Sequence, residues 1–189
     1  ISEATMKKLS LSILILILSL AVSPVWGATR LVNKTGTDSG TCISSACLTI
    51  NYAHGQASAG DTIEVWDTGT SGTTYTENSG SGYLNITKAV KIDPIGNVTI
   101  NSTASPAVMI TPAANGTVTL GGASGTLTID AQNTHNTAFQ WIDTIYNSCT
   151  LVMKNVTLKN WLLTGFLQSD ADLSVRSEGL TLTASTNTT

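Results

Sequence analysis

The residues with chemistry in them are a few carboxylates, a few cations, two histidines and three cysteines. Asp170 and Asp172 are two apart, just before Arg176. Two such carboxylates on one strand face the same way, which suits a hard cation. Calcium wants about six to eight oxygens and few others are near, so a polar surface turn is the better reading. Asp130 and Asp143 follow strand-like stretches and would be neighbours across layers of a stack. Paired acids are what glycoside hydrolysis uses, but capping turns is the commoner work of Asp. His54 follows Ala53 in a helical stretch, and His135 sits in the loop Asn133-Thr134-His135-Asn136. Neither has a recognisable Ser or Cys partner, so no hydrolytic triad is supported. Gly121-Gly122-Ala123-Ser124-Gly125 joins two strands and lacks the Lys and helix of a nucleotide loop. The catalytic residues are therefore unknown, and the sequence implies no cofactor and no metal.

Cys42 and Cys47 bracket a short loop. In an exported chain they are expected to form a disulfide, worth about 2 kcal/mol in the chain-entropy model. The alternative is two thiols in a loop. Zinc is disfavoured, because the spacing is wider than a knuckle and no second ligand pair follows. Cys149 is expected to be a small buried apolar residue. Trp66, Trp141 and Trp161, with Tyr75 and Tyr83, could stack on sugar rings. Phe139 and Trp141 share strand parity, so packing is the plainer expectation. Asn-x-Thr triplets at Asn85, Asn97, Asn115 and Asn155 read as turn Asn beside outward strand Thr rather than as glycan sites.

Composition limits the elements that can hold these residues. The chain has 189 residues, a net charge of -3 and only 11% charged residues. It lacks the basic excess that neutralises phosphates, so no nucleic-acid partner is expected. Thr is abundant at 31 residues while Lys and Glu are scarce, which opposes long helices and favours strands. At the start, Met6-Lys7-Lys8 precedes an uncharged run from Leu9 to Val22, then Pro24 and Val25-Trp26-Gly27. This reads as a secretory signal peptide over residues 1–27, cut after Gly27, and preceded by upstream residues Ile1 to Thr5. The alternative is a membrane anchor, but the run is shorter than the roughly 20 residues of a membrane span. Residues 28–189 then carry a formal charge of -4, from 7 basic and 11 acidic side chains. No membrane span is expected in that mature chain. The sequence also reads as an incomplete fragment.

Residues 28–60 read as a lead-in and a short capping helix, with Ile50, Ala53 and Ala57 on one face and Gly60 as its stop. From Asp61 the period becomes two. Thr62-Ile63-Glu64-Val65, Leu84-Asn85-Ile86, Val90-Lys91-Ile92 and Val98-Thr99-Ile100 alternate. So do Val108-Met109-Ile110, Val118-Thr119-Leu120, Leu127-Thr128-Ile129, Val156-Thr157-Leu158 and Leu180-Thr181-Leu182. Each puts aliphatics on one face and a polar residue, often Thr, on the other. The steps from Ile100 to Leu120, Ile129 to Leu158 and Leu158 to Leu182 suggest a repeat of twenty to thirty residues. Stacked units cover the aliphatic face that one unit leaves bare. Residues 61–189 are therefore expected to form a parallel β-solenoid of about six coils, roughly 25–30 Å long at ~4.8 Å per layer. The rival is an antiparallel β-sandwich.

These residues resemble a known group. Gly36-Thr37-Asp38, Cys42, and Cys47-Leu48-Thr49-Ile50-Asn51-Tyr52-Ala53 lead to Ala59-Gly60-Asp61-Thr62-Ile63-Glu64-Val65. Tyr75-Thr76-Glu77-Asn78 and Ile86-Thr87-Lys88-Ala89-Val90-Lys91-Ile92 follow. Together they resemble the amino-terminal region of right-handed parallel β-helix proteins of the pectin-lyase-like superfamily, similar to polymorphic outer-membrane proteins and surface adhesins. The resemblance spans about residues 30 to 183. It implies that the Thr-Ile-x-x-Ala helix caps the coil, that Gly-Asp-Thr-Ile starts it, and that Tyr-x-Glu marks the next side. Asn155 to Asn160 looks like a further coil side. Trp66 to Gly72 departs from the pattern by its length and predicts a bulged loop. The expected function is a secreted or cell-surface scaffold that binds a polysaccharide or a host or cell-surface ligand through its wall, as an adhesin does. The alternative is a polysaccharide lyase or glycosidase acting on acidic polysaccharide. Such lyases use an Arg or Lys base. The mature chain's arginines are Arg30, ahead of the cap, and Arg176.

Overall fold

Among the described residues every strand pairing is parallel. That excludes the antiparallel sandwich and gives a parallel β-solenoid of about four turns. The computed structural model describes residues 27–70, 72–77, 82–111, 115–134, 136–142, 149–161, 164–168 (backbone only) and 174–183. The signal segment up to Trp26, His135, Asp143, Asp170 and Asp172 lie outside the described residues.

The elements are β1 (Thr29–Val32), α1 (Ile50–Gln56), β2 (Thr62–Trp66), β3 (Thr73–Glu77), β4 (Leu84–Ile86) and β5 (Lys91–Ser102). They continue with β6 (Val108–Ile110), β7 (Gly116–Gly121), β8 (Gly125–Asp130), β9 (Thr137–Trp141), β10 (Cys149–Lys159), β11 (Thr164–Gln168) and β12 (Ser174–Thr183). The stack thus begins before Gly60, because β1 pairs with β2. The pairings define three walls. The first holds β1, β2, the leading half of β5, β7, and the leading halves of β10 and β12. The second holds β3, the trailing half of β5, β8, and the trailing halves of β10 and β12. The third holds β4, β6, β9 and β11.

A single left-handed residue turns the long strands from the first wall to the second: Gly96 (φ 91) in β5, Asn155 (φ 52) in β10 and Gly179 (φ 83) in β12. Gly and Asn are the residues that adopt this conformation at least cost. In the intervening layers the same corner opens into loops. One is the expected bulge after Trp66, where Asp67 Oδ1 accepts from Gly69 N at 2.9 Å and Thr73 Oγ1 at 2.7 Å. The other is Gly121 to Gly125, which joins β7 to β8.

The register corrects two expectations. Ile100 stacks on Ile129, not on Leu120, which stacks on Ile92. The steps from Ile129 to Leu158 and from Leu158 to Leu182 are true layer steps. On the first wall the layers are 29, 28, 33 and 24 residues apart, through Ile63, Ile92, Leu120, Met153 and Ser177. Most of these spacings are well above the little over twenty residues per coil that six coils over residues 61–189 would need, so fewer of them fit.

Inward residues form continuous files. Ile63, Ile92, Leu120 and Met153 are buried in one, and Tyr75, Ile100, Ile129 and Leu158 in another. On the third wall Leu84, Val108 and Phe139 make a file, beside Ile86, Ile110 and Trp141. Helix α1 closes the starting end, packing on β1, β2, β3 and β4 with Ile50, Ala53 and His54 buried. It is shorter than expected, ending at Gln56, and Ala57 is buried just beyond it in extended backbone.

Candidate functional site

On the first wall the outward side chains also stack in files. Thr62, Lys91, Thr119, Val152 and Arg176 occupy one. The next begins with Glu64 and Asp93 and ends with Lys154 and Glu178. Between Asp93 and Lys154 the chain supplies only Gly121 and Gly122. Position 121 pairs with Lys154, and a Cβ there would lie 1.9 Å from the Lys154 carbonyl oxygen. A Cβ on Gly122 would lie 1.9 Å from Asp93 Oδ1. The missing side chains leave a notch in the wall. It opens as a cavity of about 420 Å3 lined by Lys91, Thr119, Gly122, Ala123, Val152, Lys154 and Arg176.

Three cations from three layers meet here with two carboxylates. Lys91 Nζ is 2.5 Å from Asp93 Oδ2, Lys154 Nζ 3.2 Å from Glu178 Oε2, and Arg176 Nη2 2.7 Å from Glu178 Oε1. Hydrogen bonding from Lys154, together with the Lys154 and Arg176 charges, holds the Glu178 carboxyl below its ordinary range. It stays ionised and is a poor general acid. The Arg176 side chain is 73% exposed and that of Lys154 42%, so both cationic heads reach solvent. Trp66 ends β2 on the same wall and is 41% exposed. From β2 to β12 the wall is four strand steps wide, roughly 19 Å at ~4.8 Å each. The arrangement can pair with carboxylates or sulfates and present an indole face to a sugar ring. A second cavity, of about 430 Å3, lies beside the disulfide loop and is lined by Thr35, Gly36, Thr37, Ser39, Ser45 and Ala46. It carries no charged side chain.

The other residues singled out by sequence have structural work. Cys42 and Cys47 form the expected disulfide, with Cα atoms 5.3 Å apart. Cys149 is buried. Arg30 is buried in an ion pair with Asp61, which occupies its guanidinium. Asp130 caps its turn, accepting from Gln132 N and Asn160 Nδ2, and pairs with Lys159 at 3.3 Å. His54 is buried and accepts from Thr87 N at Nε2 (3.2 Å). Burial, with the nearby Lys88 charge, lowers its pKa to about 4. Phe139, Trp141 and Tyr75 are core residues. Asn97 accepts from Thr126 Oγ1 at 2.7 Å, and Asn155 donates to the Gly122 carbonyl at 2.8 Å.

The structure therefore brings Arg176 to the candidate site and leaves Arg30, His54 and Asp130 out of it. Lys91, Lys154 and Glu178 were missed as site residues. Lys91 lies outward between Val90 and Ile92, but Lys154 and Glu178 share parity with the inward pairs Val156/Leu158 and Leu180/Leu182, and only the left-handed corners at Asn155 and Gly179 turn them outward. Among the described residues no group of three or more His, Cys, Asp or Glu is placed to hold a metal ion, and no helix is long and apolar enough to cross a membrane. No family model matches the chain, and comparison with curated proteins and with solved structures finds no match.

Proposed function

We propose that this chain is an exported surface scaffold that binds an acidic polysaccharide along the first wall of its solenoid. The observation that supports the reading is the notch where Lys91, Lys154 and Arg176, from three different layers, meet around one cavity. A stacked wall offers an extended ligand a row of equivalent positions. Cations recognise its acid groups, and Trp66 fits the face of a sugar ring. Export is supported by the leader-like residues Met6 to Gly27 and by a disulfide, which persists in oxidising compartments. The resemblance to surface β-helix proteins points the same way.

The test is binding of the mature chain to fluorescent oligogalacturonate and to a neutral oligosaccharide of equal length. Preference for the acidic oligomer, weakening with salt, is expected. Replacing Lys91, Lys154 and Arg176 together with Met should lower affinity at least tenfold, the loss of about 1.4 kcal/mol. Equal binding of both oligomers, or an unaffected triple variant, rejects the reading. A second reading, cleavage of the same polymer, has one observation in its favour: Asp93 and Glu178 pair with the Lys and Arg side chains that line the cleft. Both carboxylates are already in ion pairs, so no turnover above background is expected with polygalacturonate.

A further inference from the structure

Asp61 lies at the junction of the cap and the first wall, and it is almost fully buried, as is Arg30 (4% and 7% exposed). Its Oδ2 accepts from Arg30 Nε at 3.0 Å, Arg30 Nη2 at 2.8 Å and Ser58 N at 2.9 Å. Its Oδ1 accepts from the backbone nitrogen of Ala28 at 2.7 Å. Arg30 Nη1 donates onward to the Thr41 carbonyl at 2.6 Å, and the Ala28 carbonyl accepts from Thr62 N at 3.0 Å. Ala28 is thus held at both its nitrogen and its carbonyl, and the nitrogen that faces Asp61 belongs to the bond expected to be cut on export.

Gly27 adds a second observation. Its Cα lies so close to the next layer that a Cβ would fall 1.8 Å from the Gly60 carbonyl oxygen and 2.4 Å from its carbon. An uncut chain can fold this way only with glycine at 27. Gly27 itself is exposed and Ala28 half-buried.

We propose that hydrolysis of the Gly27–Ala28 bond creates a mature amino terminus whose ammonium forms an ion pair with the buried Asp61, fastening β1 to the cap. An export peptidase and one water carry out the cut. The water's hydroxyl goes to the Gly27 carbonyl carbon, and the Ala28 nitrogen leaves as an amine that is protonated at neutral pH. One of its three N–H groups keeps the bond to Oδ1, and the half-exposed position leaves the others to water. Asp61 then faces two cations instead of one. Burial pushes its carboxyl up, but the bonds from Ser58, Arg30 and Ala28 and the Arg30 charge outweigh that and hold it below the ordinary range, so it is ready as an anion. The charged groups around the amine are Asp61 and, on its own strand, Arg30. The next layer adds Lys91, which gives its backbone nitrogen to the Asp61 carbonyl while its side chain pairs with Asp93.

The inference rests on the export reading for where the terminus is made, and its two halves are tested apart. Amino-terminal sequencing of exported protein should begin at Ala28. Any other terminus overturns the processing half, while a chain kept inside the cell with its leader intact overturns export itself. The ammonium is tested on a chain released at Ala28 from a cleavable tag, which needs no export. Its α-amine, followed by NMR against pH, should titrate about one unit above the usual ~7.7–8.0, a tenfold change in proton affinity. The same chain retaining Gly27 should titrate normally. A raised folded value means stabilisation is complete below the unfolded pKa and is lost as pH rises through the folded one. The thermal midpoint of the Ala28 chain should therefore exceed that of the Gly27-retaining chain near pH 7, and the two should converge above about pH 10. An ordinary titration, or a difference that ignores pH, overturns the ion pair.

Discussion

His54 is kept neutral by folding, with its Nε2 accepting from the Thr87 amide and its ring covered by the first coil. Its pKa falls to about 4, from burial first and the Lys88 charge second. Below the unfolded value of ~6.5 the unfolded chain takes up the proton that the folded one refuses. Its contribution is therefore complete above about pH 6.5 and lost as the pH falls toward 4. Glu77 acts in the opposite sense. Its buried carboxylate accepts from Ile50 N and Asn51 N at 2.9 and 3.0 Å, yet burial outweighs these bonds and raises its pKa. Folding therefore favours its protonated form, and this offsets part of the histidine's loss in acid. His54→Gln retains an acceptor and removes the titration. Urea unfolding from pH 7 to 4 should show a flatter acid limb for this variant, by up to about 3 kcal/mol at the low end. An unchanged limb would place the acid sensitivity elsewhere. At this scale the sequence showed which residue types were present but not their work. Tyr75 and Glu77 resembled a coil-side motif. Only the fold shows Tyr75 donating to the Trp66 carbonyl at 2.7 Å and Glu77 capping a helix far away in sequence.

At the scale of elements, α1 is a seven-residue helix, well below the roughly 12 residues at which isolated helices become even marginal. It is held at both ends by side chains from the coil beneath. Glu77 takes the first amides. Lys88 Nζ donates to the carbonyls of His54, Gly55 and Ala57 at 2.9, 2.9 and 2.7 Å. Lys88→Met keeps the stem and loses these bonds, and should cost about 1–2 kcal/mol in chemical denaturation. A loss below a few tenths would show that packing alone holds the lid. The corners make a sharper demand. Gly96 has φ +91, and its Cβ would sit 2.7 Å from Asp67 Cβ, whereas Gly40 has φ +63 and open space around it. Gly40→Ala should cost only the left-handed penalty of about 1 kcal/mol, and Gly96→Ala at least twice that. Similar losses at both sites would mean that the corners are looser than drawn. The short alternating strands were legible because aliphatics at period two are a local signal. The corners were not. Nothing local distinguishes a glycine that bends a strand within one layer from one that begins a new layer, so spacing alone aligns Ile100 with Leu120, whereas the chain puts it over Ile129.

For the whole molecule, the variable winding length explains why the class of fold could be read and the number of coils could not. Loops at the corners change the length of a layer without touching the inward files. The files themselves make the last prediction. Tyr75, Ile100, Ile129, Leu158 and Leu182 stand in one file across the second wall. The first four are buried, and Leu182, in the final described layer, is 58% exposed. On the first-wall half of the same strand, Val175, stacked on the buried Leu151, is 43% exposed. The lid α1 covers the starting end of the column, and β12 is the last described layer. Removing the same side chain at two heights of one file therefore reports how well each layer is covered. Leu158→Ala should leave a cavity between packed layers and cost about 2–5 kcal/mol. Leu182→Ala removes a side chain already half in water and should cost under about 1 kcal/mol. Urea denaturation of both variants reads the difference directly. Equal losses would mean that the β12 face is covered in solution as well as the layers before it.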